Sequence, residues 1–381
     1  MRTIRFGIIG CGLMGREFAS AAARWLHLAD ASARPEIVAV CDPNREAMAW
    51  FEQRVPSVVQ ATTDYRELLA NDAVDAVYCA VPHNLHAALY PDILAAGKHL
   101  FGEKPFGIDA EANAVIQRAI DAHPELVVRC SSEMPFFPGA QAVIDFVRAG
   151  HVGEILSVEC EFLHSSDINP DKPINWKRMI DVNGEYGCMG DLGMHVCHVP
   201  LRLGWRPSRV HAELVNRVTT RPNAEGERVP CETWDNATIN ATVEEGDSRF
   251  PLVLKTWRIA PGESNTWSLR VHGMNGSACF STKSPRQWRF MHYQAGGQQT
   301  WQTEDLGYQS LFPAITGAIF EFGFTDAIQQ MWAAYLDELC GGDARGFGCV
   351  TPAEASAQHA ILTAALDAGQ RGRVVDVEYP S

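Results

Sequence analysis

The stretch Ile4-Arg-Phe-Gly-Ile-Ile-Gly10-Cys-Gly12-Leu-Met-Gly15 runs a short apolar β segment straight into three glycines spaced G-x-G-x-x-G, and an alanine-rich helical stretch follows. Each glycine has a physical role in a dinucleotide-binding βαβ unit: Gly10 makes the tight turn out of the strand, Gly12 lets the backbone approach a pyrophosphate, and Gly15 lets the helix pack close to the strand. Free N–H groups at the helix start, over Gly12, Leu13 and Met14, together with the helix dipole, then hold the phosphates. A second β run, Glu36-Ile-Val-Ala-Val-Cys41, ends at Asp42. A carboxylate there accepts ribose hydroxyls and repels a 2′-phosphate, which selects NAD over NADP; Arg45, three residues on, pulls the other way. Any strand–glycine turn–helix can produce the glycine pattern by chance, and it is the second strand with its terminal Asp42 that gives the pattern weight.

Outward from this opening, strand and helix signals alternate. Helices are expected at 44–53, 65–70, 85–96 and 110–122, and strands at 74–81, 98–102 and 126–130; this rhythm predicts a doubly wound parallel sheet with its ligand beyond the carboxyl ends of the strands. From about residue 132 the pattern changes to longer, closely spaced β runs at 155–163, 209–218, 236–243, 250–259, 267–272, 278–282 and 288–293. The stretch His272-Gly-Met-Asn-Gly-Ser277 reads as a hairpin turn, and helices at 328–339 and 353–368 close the chain. The expectation is an α/β protein of two domains: a dinucleotide-binding domain over 1–131, and an α+β domain with a large, mostly antiparallel sheet over 132–381, its terminal helix packing back on the first domain.

The 381 residues, 46% hydrophobic and 20% charged, can bury two full cores, which excludes a disordered chain. A formal charge of −14 argues against nucleic acid and against an anionic membrane surface as partners. No window approaches the roughly 18 apolar residues of a membrane helix, and the first residues are too mixed for a signal peptide. The eleven cysteines are scattered without C-x-x-C, several inside apolar β runs such as Cys41, Cys79 and Cys130. Reduced core cysteines of a cytoplasmic protein are expected.

Two later motifs carry chemistry. Glu103-Lys104-Pro105 follows directly on the strand 98–102, which places Lys104 at the carboxyl edge of the sheet. There it is either a surface lysine or a group that hydrogen-bonds a reacting hydroxyl and assists proton transfer. In Gly187-Cys-Met-Gly-Asp191-Leu-Gly-Met-His195-Val-Cys-His198, a helix would put Asp191 and His195 one turn apart on one face, with His198 nearly on it. The pair is either a helix-capping Asp with a packed histidine or an acid–base pair in which Asp191 orients His195. Asp191, His195 and His198 also have the residue types of zinc ligands, but the metal reading is set aside because the chemistry described next needs no metal.

Taken together, the G-x-G-x-x-G opening, the strand-end E-K-P and the D-x-x-x-H stretch resemble the glucose–fructose oxidoreductase and inositol dehydrogenase family, Gfo/Idh/MocA. The resemblance runs in order from Ile4 to the final helix. It implies Lys104, Asp191 and His195 as the catalytic group, a cis peptide before Pro105, and cofactor contacts at Glu103 and Lys104. Pro82 and His86 match the family's proline with a histidine four residues on, which flanks the nicotinamide side. Trp176-Lys177-Arg178 is similar to a Trp-Arg pair of pyranose-oxidising members, so Trp176 and Lys177 are expected at the substrate. His198 stands where the family commonly has a substrate-contacting Asp, and Glu133 stands where many members carry polar residues and an Arg. A homodimer or homotetramer built through the C-terminal sheet is implied as well. The function expected is NAD-dependent oxidation of a sugar, glycoside or inositol. The alternatives are a glycosidase that retains NAD and a non-catalytic dinucleotide-binding protein.

Overall fold

The computed structural model describes all residues except 247, 308–309, 317–321 and 381. The chain forms two compact units, Met1–Gly107 with Glu111–Phe136 and Tyr308–Ala355, and Ile108–Ala110 with Phe137–Gly307 and Ser356–Ser381. The sequence places the division at 131/132 and assigns everything after it to the second unit. In the structure the crossing comes at 136/137, and 308–355 belongs to the first unit.

In the first unit six parallel strands, β1 (Arg2–Ile9), β2 (Ala33–Cys41), β3 (Gln60–Thr62), β4 (Ala76–Cys79), β5 (His99–Gly102) and β6 (Val128–Cys130), lie in the order β3-β2-β1-β4-β5-β6. Strand order reverses between β1 and β4, the switch point at which such sheets bind ligands. β1 ends at Gly10, whose φ of +100° L-residues avoid, and a Cβ there would lie 2.3 Å from the Ala80 carbonyl oxygen. The helix Leu13–Ala23 starts immediately afterwards. The helix Phe324–Leu339 packs within this unit: its Trp332 stacks on Phe18 at 3.7 Å and meets Phe101 at 4.4 Å and Tyr78 at 4.9 Å. These large apolar rings need a covered sheet face, and the late helix covers it.

The second unit is built on a nine-stranded sheet. Its strands are β7 (Ile155–Leu163), β8 (Pro207–Val215), β11 (Asn236–Glu245), β12 (Ser248–Trp257), β13 (Thr266–Gly273), β14 (Gly276–Ser281), β15 (Gln287–His292), β16 (Gln302–Asp305) and β17 (Val375–Asp376), while β9 (Thr220–Pro222) and β10 (Arg228–Pro230) form a separate ribbon. The order is β16-β15-β14-β13-β7-β12-β11-β8-β17, antiparallel throughout except for β7 with β12. The expected hairpin joins β13 to β14 through Met274 and Asn275. Alternation along β7 turns Val158, Cys160 and Phe162 inward, and the helix Cys188–Arg202 packs on β7, β11 and β12. That helix begins at Gly187, with φ +58°, where a Cβ would lie 2.8 Å from the Trp234 amide nitrogen. Gly193 on the same helix leaves just enough room for Gln358. No helix among the described residues is long and apolar enough to cross a membrane. All eleven cysteines are free thiols.

Candidate active site

Of the three glycines in the loop, the fold accounts for Gly10 and Gly15 but not for Gly12. A Cβ on Gly15 would lie 2.5 Å from the Gly10 carbonyl oxygen, so Gly15 is needed for packing. Gly12 is exposed, has an ordinary φ of −74°, and would meet nothing within 4 Å. Nothing in the protein itself therefore demands a glycine at position 12, whereas close approach of a bound pyrophosphate would. Beside it, Asp42 is half-buried at the end of β2. Its Oδ2 accepts the Cys11 N–H at 2.8 Å and its Oδ1 accepts the Asn44 N–H at 2.8 Å. Both oxygens keep lone pairs for ribose hydroxyls. Arg45 is exposed at the start of the next helix. Burial pushes the Cys11 and Cys41 thiols up to about 12, so neither is a thiolate at neutral pH. The residues fit a dinucleotide: the N–H groups over Gly12, Leu13, Met14 and Gly15 would hold its pyrophosphate, and Asp42 its adenosine ribose.

At the end of β5 the E-K-P turn is anchored from inside the unit. Glu103 is buried: its Oε1 accepts the Tyr78 hydroxyl at 2.7 Å, and its carbonyl oxygen accepts the Tyr90 hydroxyl at 2.8 Å. Placed at the cofactor by resemblance, Glu103 thus has its carboxylate turned into the core, where it braces the loop. Lys104 is half-buried, and the peptide between it and Pro105 is cis. His86 has no exposed surface. Its Nδ1 lies 2.6 Å from the Pro105 carbonyl oxygen, its Nε2 lies 3.1 Å from that of Val81, and its ring stacks on Tyr90 at 4.7 Å. Burial pushes the imidazole down to about 4 against those two carbonyls, with the charge of Lys104 adding to the effect. A neutral ring donates one N–H, and the shorter contact assigns it to Pro105. Pro82 caps the short turn His83–Leu85 just before. Glu133, buried two residues beyond Ser131, whose N–H donates to the Gly102 carbonyl oxygen at 3.0 Å, is pushed up to about 7 by burial and by Glu103, with Lys104 opposing.

In the second unit the helix Cys188–Arg202 carries Asp191 in its first turn and His195 one turn on, and both are buried. The His195 ring meets Phe162 edge-on at 5.1 Å, and its carbonyl oxygen accepts the Trp267 indole N–H at 2.7 Å. Those two contacts hold the histidine at the sheet. Asp191 Oδ2 takes two cations: the Arg258 guanidinium and, at 3.1 Å, the Lys177 ammonium. Lys177 comes from the turn Trp176–Arg178, which Asn175 caps by accepting the Lys177 N–H at 3.0 Å; its Nζ stands over the Trp176 ring at 5.6 Å. The next residue, Arg178, points elsewhere and pairs with buried Asp235 at 2.7 Å. Of the expected substrate residues, Trp176 and Lys177 are half-buried, with Lys177 against Asp191, whereas His198 is fully buried on the helix that carries Asp191. With its charge already met by an arginine and a lysine, Asp191 lies in surroundings that repel a metal cation. Among the described residues no cluster of three His, Cys, Asp or Glu side chains forms a metal site.

Arg258 and Asp167 escaped the sequence reading. The available signal was a single arginine following the apolar run Phe250-Pro-Leu-Val-Leu-Lys-Thr-Trp257: a guanidinium at such a position needs a buried carboxylate.

Residues 4–130 match the oxidoreductase family described as having an NAD-binding Rossmann fold, and 140–279 match the Gfo/Idh/MocA C-terminal domain. The chain belongs to the Gfo/Idh/MocA family of oxidoreductases, and its first sheet is that of an NAD-binding Rossmann domain. It is 25% identical over 295 residues to levoglucosan dehydrogenase of Pseudarthrobacter phenanthrenivorans, covering 74% of each chain. It is 30% identical over 158 residues to inositol 2-dehydrogenase/D-chiro-inositol 3-dehydrogenase of Halalkalibacterium halodurans, covering 42% of this chain and 44% of the relative. Among solved structures, levoglucosan dehydrogenase in complex with NADH and levoglucosan is similar with a TM-score of 0.87 at 22% identity, over 99% of this chain and 100% of that one. An inositol dehydrogenase homolog from Azotobacter vinelandii, complexed with NAD+, is similar with a TM-score of 0.80 at 21% identity, over 98% and 97%. At these identities the structural likeness shows the fold.

Proposed function

We propose that this oxidoreductase is an NAD-dependent dehydrogenase that moves hydride between the nicotinamide and a ring carbon of a sugar, glycoside or inositol. The observation that carries this is the Asp191–His195 helix turn: a carboxylate paired with two cations, one turn from a histidine fixed at its ring and its carbonyl. A carboxylate so paired is a poor base, which leaves His195 to take the hydroxyl proton while Asp191 orients it. Lys104 hydrogen-bonds the reacting oxygen, His86 and Glu103 fix the turn that carries it, and Trp176 and Lys177 supply a face and a donor for a hydroxylated ring. NAD, when bound, accepts the hydride as the ring C–H is oxidised. Asp42 favours NAD over NADP, and Asp42→Ala is expected to narrow the difference in affinity measured by calorimetry.

The relatives that oxidise levoglucosan and inositols support the substrate class, and the same reading has the protein act in the cytoplasm as a dimer or tetramer built through the large sheet. The test is a panel of sugars, glycosides and inositols with NAD. Net NADH formation with at least one member supports the dehydrogenase. Release of a glycosidic leaving group without net NADH would mark an NAD-retaining glycosidase, and binding of NAD with no turnover would mark a dinucleotide-binding protein.

A further inference from the structure

The residue that commands Asp191 lies outside every motif. Arg258 follows β12, and its backbone is pinned from several sides. Its N–H donates to the Asp235 carbonyl oxygen at 2.9 Å and to Asn236 Oδ1 at 3.1 Å, and its carbonyl oxygen accepts the Asp167 N–H at 3.3 Å. The side chain is 6% exposed. One arm of the guanidinium pairs with Asp191, and the other lies 3.8 Å from Oδ2 of Asp167, a second buried carboxylate. Lys172 reaches Asp167 at 3.5 Å, as Lys177 reaches Asp191. The five groups form a chain of alternating charge, Lys172–Asp167–Arg258–Asp191–Lys177, with the buried Arg178–Asp235 pair beside it. Its three central members are buried, while the two lysines at its ends keep 41% and 34% of their side-chain surface.

We propose that Arg258 is a positioning residue for the oxidation: it fixes the Asp191 carboxylate in the orientation that serves His195, and it frees Lys177 to exchange its bond to Asp191 for one to a substrate oxygen. The inference rests on the dehydrogenase reading above. Two buried carboxylates side by side repel each other, and one of them would take up a proton unless a buried cation stood between them. Only a planar, forked cation can face both at once; an ammonium is a single point of charge. Because Arg258 already compensates Asp191 from inside, Lys177 can leave without uncovering a lone buried charge. Without Arg258, Lys177 would be locked to Asp191 and lost to the substrate.

The experiment uses full-length Arg258→Ala, Arg258→Lys, Asp191→Asn and the Arg258→Ala/Asp191→Asn double variant, with melting curves and NAD affinity as checks on folding. In Arg258→Ala, kcat is expected to fall about 100-fold with NAD affinity unchanged, and added guanidinium at millimolar concentration is expected to restore about tenfold. The double variant is expected to be no slower than Asp191→Asn alone, because the two residues act as one unit. Arg258→Lys keeps the charge and is expected to fold while losing most of kcat. A folded Arg258→Ala or Arg258→Lys within about threefold of the parent, or a double variant with fully additive losses, would overturn the proposal. Titration of Asp191 by carbon NMR needs no substrate. In Arg258→Lys its carboxyl is expected to protonate at a higher pH than in the parent, and an unchanged titration would overturn Arg258's hold on Asp191. Failure of the parent to oxidise any substrate would instead count against the dehydrogenase reading.

Discussion

Glu133 in the first unit and Asp167 in the second are both buried carboxyl groups, and their surroundings push them in opposite directions. Burial dominates at Glu133, with Glu103 adding to it and Lys104 opposing, and the group ends at about 7. Burial also acts on Asp167, but Arg258, Lys172, Arg178 and Arg221 together outweigh it and hold the carboxyl below its usual range. The contrast extends to the candidate sites. The dinucleotide unit builds its site from backbone: a glycine loop, strand ends, and a turn braced by tyrosines and His86. The second unit builds its site from compensated charge, with each carboxylate answered by a cation from a distant part of the chain.

The largest expected effect comes from removing a proton-handling group from either side. Lys104→Ala is expected to lower kcat by a factor on the order of 10²–10⁴ with little change in NAD affinity. His195→Asn is expected to do the same while keeping the fold. Steady-state NADH formation measures both, and turnover surviving within a few-fold in Lys104→Ala would make that residue a surface lysine.

Two neighbouring glycines sharpen the backbone half of the contrast. Gly10→Ala places a side chain against Ala80 at a disfavoured φ and is expected to destabilise by about 2–4 kcal/mol. Gly12→Ala meets open space, so its melting curve is expected to move by about 1 kcal/mol or less while NAD affinity falls about tenfold or more. A Gly12→Ala protein that binds NAD normally would remove the loop from the cofactor site.

The smallest effect separates the two carboxyl groups by pH. The Glu133 carboxyl, raised from 4.5 to about 7, keeps its proton in the folded state after the unfolded chain has lost its own; it therefore costs stability increasingly as pH rises across that window. Glu133→Gln should abolish that slope and be more stable than the parent at pH 8 by up to about 3 kcal/mol. Asp167, held low, contributes stability above its ordinary range that is lost as pH falls. Asp167→Asn should therefore be penalised at neutral pH and progressively less in acid. Denaturant melts at several pH values measure both, and a common slope for the two variants would erase the distinction.

The same contrast explains what was legible in the sequence. Gly10, Asp42 and Lys104 each sit within two residues of a strand end, and Gly12 and Gly15 follow Gly10 at fixed spacing, so local pattern singles them out, and the parallel sheet follows from alternating periodicity. Asp191 and His195 were legible for the same reason, being one helical turn apart. Arg258 and Asp167 were not, because they meet through the register of β7 and β12, which no local pattern encodes. The bracing by Glu103 was not legible because its partners, Tyr78 and Tyr90, come from an adjacent strand and helix. The unit boundary shifted because the aromatic cluster around Phe18 recruits Trp332 from far along the chain.

Hydride transfer from a ring carbon can be followed directly. The protein would be incubated with NAD and a carbon-deuterated sugar or inositol that supports turnover, and the NADH isolated and weighed by mass spectrometry. One deuterium gained per NADH formed, at a rate that collapses in His195→Asn, is the predicted result. NADH without deuterium, or loss of substrate with no labelled NADH accumulating, would contradict the account.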